Sequence, residues 1–210
     1  MKCYPILFSA EMVRAILADR KTQTRRVMKP QPGQLAGSDY VDGAWYAEDE
    51  YGDSHPIRCP YGEAGDRLWV RETWRAVELD SGLDGVLFRA DNQFVPIENT
   101  PEAAESWIVA NSNCKHGDKW RPSIFMPRWA SRITLENVGV RLERVQDISH
   151  EDATAEGVED VDHAPYGFPI HSYAVANFRV LWDQINAKRG FPWASNPWVW
   201  VVKFEVAEVR

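Results

Sequence analysis

Within its first 27 residues the chain changes hydrophobic period once, and that change limits what it can fold into. Met12, Val13, Ile16 and Leu17 recur at helical spacing, so Glu11 to Ala18 predicts a short amphipathic helix. Ser9 suits its N-cap, and Glu11 suits a first turn where the helix dipole favours an acid. Thr22 to Val27 is rich in β-branched residues and predicts a strand. Asp19-Arg20-Lys21 is then a tight corner between the two. Alternate side chains of a strand share a face, so Thr22, Thr24 and Arg26 point one way and Gln23, Arg25 and Val27 the other. Lys21, at the corner, is within reach of the Thr24 face. The expected result is an ammonium, two hydroxyls and a guanidinium in a small space. A solvated surface corner is the alternative, because a threonine becomes a nucleophile only beside a base.

Charge favours the first of these. Residues 1–30 hold seven Lys/Arg (Lys2, Arg14, Arg20, Lys21, Arg25, Arg26, Lys29) against two acids, Glu11 and Asp19, in a chain whose net charge is −7. A positive island on an acidic molecule predicts a localised anionic ligand. The overall charge argues against a protein that coats duplex DNA through a broad basic surface. It leaves room for one nucleotide or a short single strand. Ten tryptophans can stack bases, but large aromatics dominate buried area and most are expected in the core.

The length, 210 residues, fits one domain with long insertions more readily than two. No apolar run is long enough to span a bilayer, and the N-terminus lacks a signal-peptide pattern, so a cytoplasmic location is expected. Cys3, Cys59 and Cys114 are odd in number and widely spaced, which suits reduced thiols.

Further along, Tyr4 to Phe8 predicts a first strand. Residues 30–65 are punctuated by Gly and Pro and read as a loop-like insertion, and 91–120 and 159–172 as two more, with a short helix over Pro101 to Val109 inside the second. Gly65-Asp66 turns into a strand from Arg67 to Trp74, with Leu68, Val70, Glu72 and Trp74 on one face. Glu72 on that apolar face needs a partner, and an arginine of the basic corner is the candidate. Gly85 to Ala90 predicts a strand, and Arg132 to Val145 a long β region with a bulge or turn near Asn137-Val138-Gly139. Ser149-His150-Glu151-Asp152 reads as a capping box opening a short helix that Gly157 closes. Glu156 then sits in the last turn, where the dipole disfavours an anion by roughly 0.3–1 kcal/mol, a placement that suggests use. Tyr173 to Ala187 predicts the longest helix, with Phe178, Leu181, Trp182 and Ile185 on one stripe, and Trp198 to Val209 the final strand.

This order resembles the ASCH domain family. The likeness is carried by Arg20-Lys21-Thr22-Gln23-Thr24-Arg25-Arg26, Cys59-Pro60-Tyr61-Gly62, Gly65-Asp66-Arg67-Leu68-Trp69-Val70-Arg71-Glu72, Trp120-Arg121-Pro122-Ser123, Met126-Pro127-Arg128-Trp129-Ala130 and Asn196-Pro197-Trp198-Val199-Trp200. It is nearest to the longer phage and prophage members. The resemblance implies an α+β fold, a PUA-like small β-barrel flanked by helices with long loop insertions, over 1–210 as a single domain. It also implies RNA, nucleotide or modified-base binding in a cleft. One bacterial branch hydrolyses the amide of N4-acetylcytidine with a Lys, a Thr three residues later and a Glu in the short helix after the β region. Lys21 and Thr24 match the first two and Glu156 is the candidate for the third. Asp19 stands where the family usually has Gly.

Three activities follow as expectations. In an amidohydrolase acting on N4-acylated cytidine, Lys21 takes the Thr24 proton, Thr24 attacks the acyl carbonyl, Glu156 relays a proton, and Arg26 holds an oxyanion or phosphate. In a non-catalytic reader of modified or single-stranded RNA or DNA, the same corner (Arg20, Thr22, Arg25, Arg26) binds the ligand with Glu72 and a stacking tryptophan, Trp69 or Trp74. In a metal-independent ribonuclease, Lys21 and the arginines cleave RNA. No cofactor and no metal are expected. His55, Cys59, Cys114 and His116 supply four metal-ligand types, but Cys-x-His is tighter than the usual ligand spacing. His150, His163 and His171 are expected at the surface.

Overall fold

The computed structural model describes residues 1–32, 34–35, 44–48, 51, 53–112, 119–160 and 173–210. The chain order is β1 (Cys3–Leu7), α1 (Ala10–Leu17), β2 (Gln23–Val27), β3 (Gln34–Leu35), β4 (Trp45–Glu48), β5 (Ser54–Ile57), β6 (Arg67–Arg71), β7 (Trp74–Glu78), β8 (Asp84–Phe88), β9 (Phe94–Pro96), α2 (Pro101–Ser112), β10 (Ile133–Arg144), α3 (His150–Ala155), α4 (Tyr173–Asn186) and β11 (Trp198–Val209). Helices and strands are mixed, as the sequence patterns predict. The residues fall into two compact units, Met1–Ala18 with Arg67–Glu136 and Val206–Arg210, and Asp19–Asp66 with Asn137–Glu205. No helix among the described residues is long and apolar enough to cross a membrane.

In the first unit β6 lies between β1, which pairs with it in parallel from Cys3↔Arg67 to Leu7↔Arg71, and the start of β10, antiparallel through Thr134↔Trp69. The antiparallel ribbon β7-β8-β9 completes its sheets. Alternation decides the faces: Leu68 and Val70 are buried while Arg67, Trp69 and Arg71 are half-buried. The core of this unit gathers Trp74, Ala76, Val86, Phe88, Trp107, Ala110, Met126 and Ala130. Trp74 meets Trp129 edge to face, with centroids 5.9 Å apart at 86°. The helix inside the second insertion extends to Ser112.

In the second unit β2 pairs antiparallel with β11, from Val199↔Val27 to Lys203↔Gln23, and β10 borders β11 on its other side. The insertion 30–65 contains the small antiparallel ribbon β3-β4-β5 rather than loop alone. α4 buries Ala174, Phe178, Trp182 and Asn186, one residue per turn, against Val145, Ile148, Ala153, Val199 and Val201. Leu181 and Ile185, expected on that stripe, are only partly covered. The phase change in β10 is neither a turn nor a chain break. Asn137 is itself buried, donating from its side-chain amide to the Tyr61 carbonyl and accepting from the Gly139 N–H, and the strand runs on.

The N-caps of α1 and α3 and the end of α3 follow local signals. Ser9 accepts from Met12 N at 3.3 Å and Ser149 from Asp152 N at 3.1 Å. Gly157 closes α3 at φ +83°, a left-handed backbone that favours glycine. Asp19 turns the corner at φ +53°. Trp74 is fully enclosed, so Trp74→Ala will lower the unfolding free energy by about 3–5 kcal/mol, read as a drop in the urea midpoint at unchanged slope.

Candidate active site

The corner and the end of α3 meet through backbone and side chain together. Lys21 and Glu156 form an antiparallel bridge, and Thr22 N donates to the Ala155 carbonyl at 2.9 Å. This seats the Lys21 ammonium in a pocket of oxygen atoms. Nζ donates to the Gln23 carbonyl, the Glu156 carbonyl and Glu156 Oε2, each at 2.8 Å. Both side chains are buried.

Arg25 holds the other carboxylate oxygen, Nη1 to Glu156 Oε1 at 3.2 Å. The same guanidinium donates from Nη2 to Asp152 Oδ2 and from Nε to Glu143 Oε1, both at 2.7 Å. Arg141 closes the outer side by pairing with Glu143 and Asp152, and Gln23 donates to the Asp152 carbonyl at 2.9 Å. Three cations (Lys21, Arg25, Arg141) therefore face three carboxylates (Glu143, Asp152, Glu156). The capping-box acid is drawn into this network: Asp152 lends its backbone N–H to Ser149 and its carboxylate to the arginines.

Burial pushes the Lys21 amine below the usual lysine range, against the opposing pull of Glu156 and with help from Arg26 and Arg25. Burial also lowers Arg26, opposed by Tyr61 and Glu156 and aided by Arg189. For Arg25 burial acts downward, but Glu156, Glu143 and Asp152 outweigh it and raise its pKa. Asp152 is lowered, because Arg25 and Arg141 outweigh its partial burial.

The structure brings Lys21, Glu156 and Arg25 into direct contact, with Arg26 close enough to act on both members of the pair. The Lys21 ammonium is held by the Gln23 carbonyl and by Glu156, a tertiary contact that strand alternation does not contain. Thr24 is buried opposite Val202, and its hydroxyl has no hydrogen-bond partner among the described residues. Thr22 is exposed, and Arg20 reaches outward to Glu159 at 3.9 Å. Arg25 is committed to carboxylates, so it positions Glu156 and has no edge left for a phosphate.

The remaining expected site residues lie in the first unit. Glu72 does have a partner, but it is Arg132 rather than the basic corner: Nε to Oε1 at 2.9 Å and Nη2 to Oε2 at 3.0 Å. Arg132 also holds Asp91 Oδ2 and Gln93 Oε1, each at 2.8 Å. Burial raises Glu72, with Arg132 opposing. It is a structural ion pair and leaves no acceptor for a base. Trp74 is core and offers no free ring face, whereas Trp69 is half-buried with Arg71 and Arg128 against its ring. Sequence reading missed Glu143, Asp152 and Arg141 as network members; the run of acids after Ser149 was the available signal.

Among the described residues no group of three His, Cys, Asp or Glu could hold a metal ion. Burial raises the Cys59 thiol to about 12, which keeps it protonated. Cys114, His116, His163 and His171 lie outside the described residues. His150 is half-exposed, 3.8 Å from Asp160.

No protein-family model matches the chain and no curated protein matches it. Among solved structures it is similar to protein EF3133 from Enterococcus faecalis V583, described as DUF984, with 11% identity, a TM-score of 0.42, and coverage of 100% of this chain and 83% of that one. A likeness of that size carries neither fold nor activity across.

Asp152 gives this network a pH dependence with a definite sign. Its folded pKa is depressed, so its stabilisation is present above the unfolded value of about 4 and is lost as pH falls through the folded value. Asp152→Asn will therefore be less stable than the parent at neutral pH, and the difference will shrink between pH 4 and pH 2 in thermal melts. A constant difference across that range would remove Asp152 from the ion network.

Proposed function

We propose that this chain is an ASCH-type protein with a PUA-like core, binding a modified nucleoside at the Lys21 corner and hydrolysing an amide of the N4-acetylcytidine kind. The observation that carries the reading is the buried Lys21–Glu156 contact at 2.8 Å, with the amine pKa pushed down by burial. A lysine in that condition gives up its proton more readily than a surface lysine does. The resemblance in Lys21, Thr24 and Glu156 supports the same assignment.

The chemistry follows from the contacts. The Lys21 ammonium passes a proton along its hydrogen bond to Glu156 Oε2, leaving a neutral amine. That amine gives up the Gln23 carbonyl and turns to Thr24, whose hydroxyl has no hydrogen-bond partner among the described residues. It takes the hydroxyl proton as Thr24 Oγ bonds to the acyl carbon. Arg26 stabilises the oxyanion. The C–N bond then breaks, and Lys21 returns the proton to the leaving amine. Water, deprotonated by the same amine, attacks the threonyl ester; the ester C–O bond breaks, Lys21 returns the proton to Thr24 Oγ, and the carboxylic acid leaves. Arg25, fixed by Glu143 and Asp152, keeps Glu156 oriented throughout.

A second reading has one observation in its favour. In the resting geometry Nζ is already held by three oxygens and Thr24 is not among its partners, which suits a reader that binds a modified base without changing it. Incubation with N4-acetylcytidine separates the two. The hydrolase releases cytidine, and Thr24→Ala lowers that rate by at least about a thousandfold, the scale of losing an activated nucleophile. Binding without cytidine release assigns the reader, and turnover that survives Thr24→Ala overturns the mechanism.

A further inference from the structure

In the first unit two short 3-10 turns, Ser123–Phe125 and Arg128–Ala130, follow Pro122 and Pro127. Between them Met126 is buried, and its sulfur accepts from the Glu72 N–H at 3.4 Å. Phe125 N donates to the Pro122 carbonyl at 3.0 Å and Met126 N to the Ser123 carbonyl at 3.1 Å. Arg71 Nη2 donates to the Ile124 carbonyl. The stretch is thus held at several points, and proline fixes φ at two of its positions. Even so, Ile124 and Phe125 stand 58% and 69% exposed. An apolar projection already held in one conformation has little backbone left to order when it docks, which lowers the cost of association.

The same unit carries a hollow of matching size. A cavity of about 130 Å³ is lined by the buried Val86 and Phe88 and by the partly covered Val95, Ile97, Ala103 and Trp129. Phe125 does not line it. A cavity of roughly 150 Å³ takes a benzene molecule, so this one is on the scale of a single phenyl ring. Phe125 and Trp129 are four residues apart, which puts their backbones at most about 14 Å from each other. Charge is complementary as well. Arg71, bonded to Ile124, and Arg128, three residues past Phe125, have no carboxylate partner among the described residues. Glu98 lines the hollow with its side chain 66% exposed, 3.3 Å from Arg210. Glu102, beside the wall residue Ala103, is a second exposed acid.

We propose that this surface pairs with a second copy of the chain about a two-fold axis, Phe125 of each copy entering the hollow of the other and Arg128 of each meeting Glu98. An isologous interface needs both halves of the contact on one surface patch, and here projection and hollow are neighbours. A second copy is favoured over a different protein because the two features complement each other in size and in charge. Phe and Arg are also residue types enriched at the centre of such contacts, where an aromatic anchor fills a pocket. Reciprocal insertion uses both features of both copies, so assembly closes at the dimer. The residues involved share none with the Lys21 network, so this pairing stands or falls independently of the hydrolase reading.

The test is analytical ultracentrifugation of the full chain over a concentration series reaching about 500 μM, several times a Kd on the order of 10–100 μM that suits a small contact. The parent will pass from monomer to dimer and stop there. Phe125→Ser, at an exposed position, will keep the parent's melting temperature in dilute solution and raise the dimer Kd at least about thirtyfold, since two anchors are lost per dimer. Ala103→Phe, which fills the hollow from its wall, will raise it by a similar factor. Glu98→Arg alone and Arg128→Glu alone will each weaken the dimer about fivefold or more by placing like charges together, and the two combined will return to within about twofold of the parent. A parent that stays monomeric throughout, or one that grows past the dimer, would overturn the pairing. So would a dimer that Phe125→Ser or Ala103→Phe leaves unchanged, or a double charge reversal no stronger than either single one.

Discussion

A buried ammonium survives in this protein because three oxygens and two layers of compensating charge surround it. Lys21 loses its hydration on entering the second unit, and desolvation of that kind costs several kcal/mol for an ion left alone. Glu156 answers it directly, Arg25 holds the far oxygen of Glu156, and Glu143, Asp152 and Arg141 balance Arg25 in turn. The partners come from β2, β10 and α3, so the ion network is also a cross-brace between these elements. Removing one member strands another inside, which is why such pairs couple site geometry to stability.

The first unit solves the same problem separately. Arg132 is buried and its guanidinium is satisfied by Glu72, Asp91 and Gln93, with Cζ 4.2 Å from the Phe88 centroid. Burial acts to lower the Arg132 pKa, but the two carboxylates outweigh it and raise it. Arginine thus has two employments in this chain: inside, neutralised and structural; at Trp69 on the outward face of β6, where Arg71 and Arg128 lie against the ring and have no carboxylate partner among the described residues. A formal charge count hides this division, since both groups contribute equally to the total.

Much of the secondary structure was legible because it is written locally. The Ser9 and Ser149 caps, the stop at Gly157, the helix over Pro101 and the bounds of β11 all follow from residues within a few positions of each element. What was not legible is long-range. The partner of Glu72 lies 60 residues away on β10, and nothing around Glu72 names it. The partner of Lys21, Glu156, lies 135 residues away, and nothing around the corner names it. Arg25 and Arg26 look alike in the sequence, and nothing local marks Arg25 as the partner of Glu143, Asp152 and Glu156. The basic island at the N-terminus changed meaning at two of its members: Lys21 and Arg25 are spent on internal pairing.

The account depends on Lys21 being an abnormal lysine, and its titration measures that directly. Carbon-13 labelling of the lysine ε-methylenes allows each ammonium to be followed by NMR between pH 6 and pH 12, with Lys21→Arg assigning the resonance. Lys21 will titrate below the other lysines, and Glu156→Gln will shift it further down by removing the opposing charge. A Lys21 resonance that titrates with the surface lysines, near the ordinary value of about 10.4, and that ignores Glu156→Gln would contradict the buried pair on which the proposed chemistry rests.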